Sequence, residues 1–409
     1  MGWMGLWRLR ARWSYSHAVL LLCWAGWISI YLCKSALPPL LPVLAEDLGL
    51  THVQGGLLVT AYLAGYVSIK VPAGIMARRF GIRRVLVAGM VGYAFSSMLN
   101  FLAADFAQMF MLRFLVGLFQ GVHLPLANAL LSDRFGSRQG RAIGFHESGP
   151  NVGTAVAFPL TVAIASTWGW RWAFLLLSLP AFALALAASI ILRADDREVE
   201  LAASAEIGPS GDLRLRSFRR VLIPMALAHA TYNLCFRSLL NFAPSYLVEF
   251  RGMSLATAGL IATILPASGF FAKLSSGFLA ERLGERRAIC AASALSGALI
   301  ASMTILAGER ALSIVFILMG LALYSFSPSI YASVTSTLPS PLKAVGLGMV
   351  TMTGDLVGAI STPIVGLLID ARGYGAALQA ISASALVAAA VIYAIMSDEP
   401  LGPGRYGAG

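Results

Sequence analysis

The sequence predicts an all-α membrane protein with twelve transmembrane helices, arranged as two pseudo-symmetric six-helix bundles. Three observations lead to this fold class: an apolar composition, twelve apolar runs along the chain and an internal repeat. Of the 409 residues, 58% are hydrophobic and only 12% are charged. Soluble globular domains carry about 25% charged residues, so a lipid bilayer is the environment that this composition fits.

The apolar runs are each about 20 residues long, and short loops containing Arg, Gly and Pro separate them. Such a run can cross a bilayer as a helix, because a helix pairs its backbone polar groups within its own segment. The first run follows Arg8, Arg10 and Arg12 as in a secretion signal, but its length and the lack of a small-residue cleavage site predict a retained helix. The predicted spans are 18–41, 53–77, 85–104, 109–131, 142–166, 172–192, 222–248, 256–280, 288–307, 312–338, 345–368 and 376–396.

The positions of the basic residues predict the orientation of the chain. The net charge is +11, yet 21 Lys and Arg residues fall in loops on the side of the N-terminus and only four fall on the opposite side. Cytoplasmic loops carry the excess of positive charge, so we expect a multi-pass protein of a prokaryotic inner or plasma membrane with both termini in the cytoplasm. This distribution explains the basic charge without a nucleic-acid partner. The four residues on the opposite side are Arg171, Arg251, Arg310 and Arg372.

The least hydrophobic stretch, residues 193–220, is predicted to be a cytoplasmic linker. It separates an N-terminal six-helix bundle at 1–192 from a C-terminal bundle at 221–400, which a short tail at 401–409 follows. The two halves share residues at one ungapped offset, for example between Arg79 and Arg282 (282 − 79 = 203). Two similar halves that rock about a central site are a common architecture of secondary carriers. Further pairs at this offset are Lys34 and Arg237, Lys70 and Lys273, Gly74 and Gly277, Gly81 and Gly284, Arg83 and Arg286, Arg84 and Arg287, and Pro125 and Pro328.

The loop after the second predicted span has the sequence Gly74-Ile-Met-Ala-Arg-Arg-Phe-Gly-Ile-Arg-Arg84, and the second half repeats it as Gly277-Phe-Leu-Ala-Glu-Arg-Leu-Gly-Glu-Arg-Arg287. Both stretches resemble the signature loop of the major facilitator superfamily, and the resemblance extends over nearly the whole chain. It implies transport by alternating access. The family usually has Asp at the position of Arg78, so the contact between helix ends is expected to differ in the first half. The residues that the resemblance assigns to conformational gating are Gly74, Arg79, Gly81, Arg83, Arg84, Gly277, Glu281, Arg282 and Gly284.

Within this superfamily, the stretches around Lys34 and Arg237 are similar to those of the organophosphate:phosphate antiporters and the anion:cation symporters. The resemblance to the phosphate-ester branch implies that these two basic residues bind the substrate phosphate. Pro150 stands where that branch has a His on the fifth helix, which argues against phosphate esters as the substrate.

Five cations and two carboxylates fall inside the predicted spans, which leaves an excess of three positive charges. A charge at the bilayer centre costs about 2.5 to 3.5 kcal/mol, so such residues face an internal cavity or a charged partner. The excess therefore predicts an anionic substrate. The residues concerned are Lys34, Lys70, Arg113, Arg237 and Lys273, with Glu147 and Asp355.

We predict that Lys34 and Arg237 bind the anion from opposite sides. Alternatives for this pair are an ion pair with Asp355 or Glu147, or side chains that extend to the membrane surface. Asp355 is first of all a counter-ion for Arg237, with proton carriage or a cation site as alternatives, and Glu147 is either a second coupling group or a solvated helix N-terminus. Residues expected to orient the substrate are Tyr31, Tyr62, Gln120 and Asn241, and those expected in a vestibule or secondary role are Lys70, Lys273 and Arg113.

The chain has no sequence motif for ATP hydrolysis, metal-dependent catalysis or redox chemistry, so we expect neither an enzyme nor a cofactor or metal site. The leading hypothesis is a monomeric carrier in the lipid bilayer that moves a small organic anion, by antiport or by symport with protons or sodium. One alternative is a proton-driven exporter of amphiphilic compounds. A further alternative is a non-transporting sensor on the same scaffold.

Overall fold

A computed structural model of the chain describes residues 14–193, 212–337 and 340–395. Within these residues the secondary structure is helical, as predicted, and there is no β-strand. Most of the predicted linker and the predicted tail at 401–409 lie outside this part of the chain. The helices are α1 (Tyr15–Ser35), α2 (Leu37–Leu48), α3 (His52–Phe80), α4 (Ile82–Leu99), α5 (Phe106–Gln120), α6 (His123–Phe135), α7 (Gln139–His146), α8 (Gly149–Trp168), α9 (Trp170–Ile191), α10 (Asp212–Ser245), α11 (Leu255–Leu283), α12 (Glu285–Ser302), α13 (Glu309–Thr337) and α14 (Ser340–Ile395).

Each of the twelve predicted spans coincides with helical structure, but three of them are interrupted. The first is divided into α1 and α2, the fourth into α5 and α6, and the fifth into α7 and α8. Conversely, the last two spans form one kinked element, α14, whose non-helical residue is Gly373 with φ 76°. Among the described helices, eight are long and apolar enough to cross a membrane, and a ninth qualifies if α3, which bends by 48°, is counted as one span.

At two turns, glycines that are 203 residues apart have similar backbone conformations in the two halves. Gly49 and Gly252 both adopt a left-handed conformation, with φ of 63° and 66°, and 252 − 49 is 203. Gly81 and Gly284 do the same with φ of 86° and 81°, and they lie directly before α4 and α12. A left-handed conformation favours glycine. The glycines at equivalent positions therefore form the same turns in both halves.

Two arginines of the predicted gating loops have equivalent contacts in the two halves. Arg83 donates a hydrogen bond to the Ser189 carbonyl oxygen, and Arg286 donates one to the Tyr393 carbonyl oxygen. Each arginine thereby ties the third predicted helix of its half to the last helix of the same half. The Glu281 side chain lies outside the described part of the structure, so its gating role stays a prediction.

The two halves meet along α3 and α14, α8 and α11, and α2 and α10. We call the end of the bundle that holds the turn between α2 and α3 the far face, and the end at which α1 begins the near face. Toward the far face the backbones approach closely: a Cβ placed on Gly56 of α3 would lie 2.5 Å from the Pro363 Cα of α14. The side-chain hydroxyl of Thr60 also donates to the Ala359 carbonyl oxygen at 2.6 Å. These contacts close the far face in this structure.

Candidate functional site

A polar cavity of about 160 Å³ lies between the two halves at mid-depth. Four cationic side chains contribute to its wall, two from each half, together with aromatic rings and uncharged hydrogen-bonding groups. Its lining includes Tyr31, Lys34, Ser35, Tyr62, Arg113, Asn151, Thr154, Phe158, Phe236, Arg237, Asn241, Lys273 and Tyr324.

Lys34 lies in the last turn of α1, directly before the interruption that separates α1 from α2. Proline in the first turn of α2 favours the beginning of a helix there, because the backbone N–H groups of a first turn have no partner within the helix and proline lacks this group. The Lys34 ammonium lies 4.6 Å from the ring centroid of Tyr31 and 5.2 Å from that of Tyr62. No carboxylate of the described residues lies within ion-pair distance of it. Aromatic faces thus stabilise this cation without neutralising it.

Arg113 of α5, which the sequence assigned to a vestibule or secondary role, is 1% exposed. Its Nη2 donates to the Lys34 carbonyl oxygen at 3.2 Å, and its guanidinium lies 5.7 Å from the Tyr62 ring. The Nε and Nη1 atoms have no hydrogen-bond partner among the described residues. A buried guanidinium keeps its charge, so these unpaired donors leave room for an acceptor.

Arg237 of α10 both lines the cavity and pairs with Asp355 of α14. Its Nη2 donates to the Asp355 Oδ1, and its Nε donates to the Asn233 Oδ1 at 3.3 Å. The Asp355 Oδ2 lies 3.7 Å from the Lys70 ammonium of α3, so this carboxylate also connects the two halves. The Arg237–Asp355 pair has the geometry of the counter-ion arrangement that the sequence favours first for Asp355.

The remaining predicted residues divide into those that line the cavity and those that do not. Lys273 lines it and donates to the Asn151 Oδ1 across the halves at 2.8 Å. Asn241 lines it and donates to the Arg237 carbonyl oxygen at 2.8 Å. Gln120, by contrast, is fully buried elsewhere and donates to the Ile30 carbonyl oxygen at 3.4 Å. Glu147 lies in the interruption between α7 and α8, 47% exposed and outside the cavity lining.

Comparison with known proteins identifies the family. The sequence model of the family described as the Major Facilitator Superfamily matches residues 23–362, and a second match covers residues 225–407. The chain belongs to this superfamily.

Sequence relatives match most of the chain. The hexuronate transporter of Bacillus subtilis is 25% identical over 373 residues, which are 87% of this chain and 88% of that protein. The D-galactonate transporter of Escherichia coli is 24% identical over 385 residues, which are 86% of this chain and 89% of that protein. A solved structure of a bacterial homologue of the human lysosomal transporter Spinster, inward-facing and unoccupied, has a TM-score of 0.80 at 17% identity, and covers 93% of this chain and 97% of that chain.

Membership in the Major Facilitator Superfamily confirms the resemblance inferred from the signature loops and the major facilitator fold. The protein is accordingly a multi-pass membrane transporter and not an enzyme.

Sequence reasoning missed several polar contacts of this superfamily member. Asn151 and Thr154 of α8 line the cavity. The only sequence feature that could have identified them is their position near the glycine-rich start of α8. It also missed a cluster at the far face in which His52 contacts residues of the other half. His52 lies 197 to 322 positions before its partners in the chain, so no local pattern marks the cluster.

Proposed function

We propose that this transporter carries a small organic anion, bound in the cavity between Lys34, Arg113 and Arg237. The observation that carries the proposal is Arg113: a guanidinium with 1% exposure and two unpaired donors, next to a lysine without a carboxylate partner in the described structure. Burying charge without a partner is costly, and a bound carboxylate would offset that cost through charge-assisted hydrogen bonds.

The uncharged groups of the cavity refine the substrate class. Asn151, Thr154 and Asn241 supply amide and hydroxyl groups on the wall that holds the cations. The relatives named for hexuronate and D-galactonate act on hydroxylated carboxylates, which such a lining suits. We infer a hydroxylated carboxylate as the substrate. An apolar amphiphile fits this lining less well, because it would leave the cations without an acceptor.

The coupling group in this proposal is Asp355. An anion that takes over Arg237 removes the cation that favours the ionised form of this carboxylate, so substrate binding promotes proton uptake. Glu147 suits this role less, since it lies outside the cavity lining. We also propose that the near face lies in the cytoplasm, because 21 of the loop cations fall on that side.

Binding by the purified protein tests the substrate class. D-Galactonate and a hexuronate should raise its apparent melting temperature, whereas uncharged D-galactose should not, because only a ligand that binds the folded state stabilises it. Arg113→Gln should weaken binding about 10- to 100-fold, since a hydrogen bond to a charged group contributes about 1.5 to 3 kcal/mol.

The matched control is Arg310→Gln, which removes the same charge from an exposed position at the start of α13. It should bind as the wild type does. Equal binding of D-galactose and D-galactonate, or wild-type affinity in a folded Arg113→Gln protein, would refute the proposal.

A further inference from the structure

Four side chains close the far face between the two halves, and we call them the far-face cluster: His52, Glu249, Asp370 and Tyr374. His52 begins α3 of the first half, whereas the other three belong to the second half. The His52 Nδ1 lies 2.6 Å from the Asp370 Oδ1, and its Nε2 lies 2.8 Å from the Glu249 Oε2. Tyr374 donates its hydroxyl to the same Glu249 oxygen at 2.9 Å and lies 3.0 Å from the His52 Nε2. Both ring nitrogens of His52 therefore face a carboxylate across the interface.

This geometry matches a protonated imidazole. A neutral ring has one N–H donor, so its second nitrogen would direct a lone pair at a carboxylate oxygen. The cationic ring donates from both nitrogens and pairs with two anions at once. His52 and both carboxylates are partly exposed, so protons reach the ring from the solution at the far face.

The surroundings of His52 reinforce this preference. The titratable groups that face the ring are Glu249, Asp370 and Tyr374, and Phe242 supplies an apolar ring at 6.3 Å. Within the described parts of the chain, no Lys or Arg side chain lies within ion-pair distance of the two carboxylates. Without the proton, two carboxylates would face each other across a neutral ring.

Asp370 also binds the backbone of the opposite half. Its Oδ1 accepts from the His52 backbone N–H and its Oδ2 accepts from the Val53 backbone N–H, each at 3.0 Å. A carboxylate at this helix start offsets the positive end of the α3 dipole, which would otherwise disfavour a cation at His52. The contacts of the cluster thus stabilise the closed far face and the protonated ring together.

Opening the far face must separate these groups. A Cβ placed on Gly366 of α14 would lie 2.3 Å from the His52 carbonyl oxygen, so the two helices are in backbone contact at the cluster. Asp370 lies on α14, and Glu249 directly follows α10, so both carboxylates belong to the second half. When the first half parts from the second at the far face, His52 loses both of them. Proton binding and closure are therefore linked through His52.

We propose that His52 is a proton-binding site whose occupancy holds the far face closed. An exposed imidazole has a pKa of about 6.5, and the closed cluster binds the proton more tightly than the open state does. The stabilisation of the closed state is therefore complete below about pH 6.5 and is lost as the pH rises above it. In the proposed orientation, an acidic exterior would favour the state that is closed to the outside. This inference rests on alternating access and not on the identity of the substrate.

Distance measurements between spin labels test the proposal without any substrate. Labels at Glu46→Cys and Ala371→Cys, exposed far-face positions in the two halves, would be placed in full-length protein in which the accessible Cys290 is replaced by Ala. The measurement covers about pH 5.5 to 8.5, and the fractions of long and short distances give the ratio of open to closed molecules. This ratio should stay nearly constant below about pH 6.5 and then rise by up to tenfold per pH unit, the limit for one linked proton. His52→Gln should abolish this pH dependence.

His17→Gln is the matched control, because His17 is an exposed histidine of the near face that bonds to Ser14 of its own half. It should keep the wild-type pH profile. Glu249→Gln removes one charge and keeps His52, so it should move the midpoint to lower pH and provides a second test if His52→Gln folds poorly. A flat profile in the wild type, or the same profile in wild type and His52→Gln, would overturn the proposal and leave the anion site unaffected.

Discussion

Asp355→Asn removes the carboxylate that bridges Arg237 and Lys70. In the proposed function, this carboxylate competes with a bound anion for Arg237. Two opposite effects follow. The free energy of unfolding should fall, because the Arg237 guanidinium loses its charged partner in the described structure. The affinity for an anion should rise, because the anion no longer displaces a carboxylate.

The magnitude follows from the exposure of the groups. A pair of charges at about 4 Å interacts by about 4 kcal/mol at an effective dielectric constant of about 20. Arg237 and Asp355 are 17% and 22% exposed, so solvent screening and desolvation reduce the net value to about 1 to 2 kcal/mol. Lys70 is 35% exposed and 3.7 Å from the carboxylate, so its pair adds little. We expect roughly tenfold tighter binding and a loss of about 1 to 2 kcal/mol in stability.

Calorimetric titration of D-galactonate into the purified variant measures the affinity, and thermal unfolding without ligand measures the stability. Asp47→Asn is the matched control, because Asp47 pairs with Arg171 at 2.8 Å away from the cavity. It should leave the affinity unchanged. If folded Asp355→Asn protein binds the anion as weakly as the wild type or more weakly, Asp355 does not compete for Arg237.

Two further predictions concern the cavity and the topology. Arg237→Lys should weaken anion binding about tenfold although the charge is retained, because an ammonium lacks the planar guanidinium fork. Uptake of D-galactonate by proteoliposomes measures the effect, and uptake at the wild-type rate would contradict the prediction. Reporter fusions after residue 13, within 205–212 and at the C-terminus should all report a cytoplasmic position, since most of the basic residues lie in loops on the side of the N-terminus. A single reporter outside the cytoplasm would refute the orientation.

The helical architecture was predictable because the period and length of the apolar runs are local properties. The interruptions were harder to place. The fifth predicted span breaks at Glu147 and Ser148, next to Gly149 and Pro150, yet proline is tolerated inside other spans of this chain, such as Pro180 in α9. Neighbouring helices decide which of these residues interrupts a helix, and the sequence does not state which helices are neighbours.

The membership of the cavity was only partly predictable for a related reason. Charge identified Lys34 and Arg237, which line the cavity, and it also identified Arg113, although not its burial. Gln120 lies on α5 with Arg113, yet only Arg113 lines the cavity. The two positions are seven residues apart (120 − 113), which is nearly two full turns, so they share a face of α5 and differ by about 10.5 Å along its axis. The sequence does not state the depth at which the cavity ends.

Two of the ion pairs that cross between the halves in the described residues join the same two helices, α3 and α14. At the far face His52 of α3 meets Asp370 of α14, and near mid-depth Lys70 of α3 meets Asp355 of α14. His52 and Lys70 are 18 residues apart on α3 (70 − 52), and Asp355 and Asp370 are 15 residues apart on α14 (370 − 355). At about 1.5 Å per residue, these separations are about 27 and 22 Å. In both pairs the first half supplies the cation and the second half supplies the carboxylate. A movement of α3 against α14 therefore changes the proton-binding cluster and the counter-ion of Arg237 together, which gives proton occupancy at one face a direct physical route to the substrate cavity.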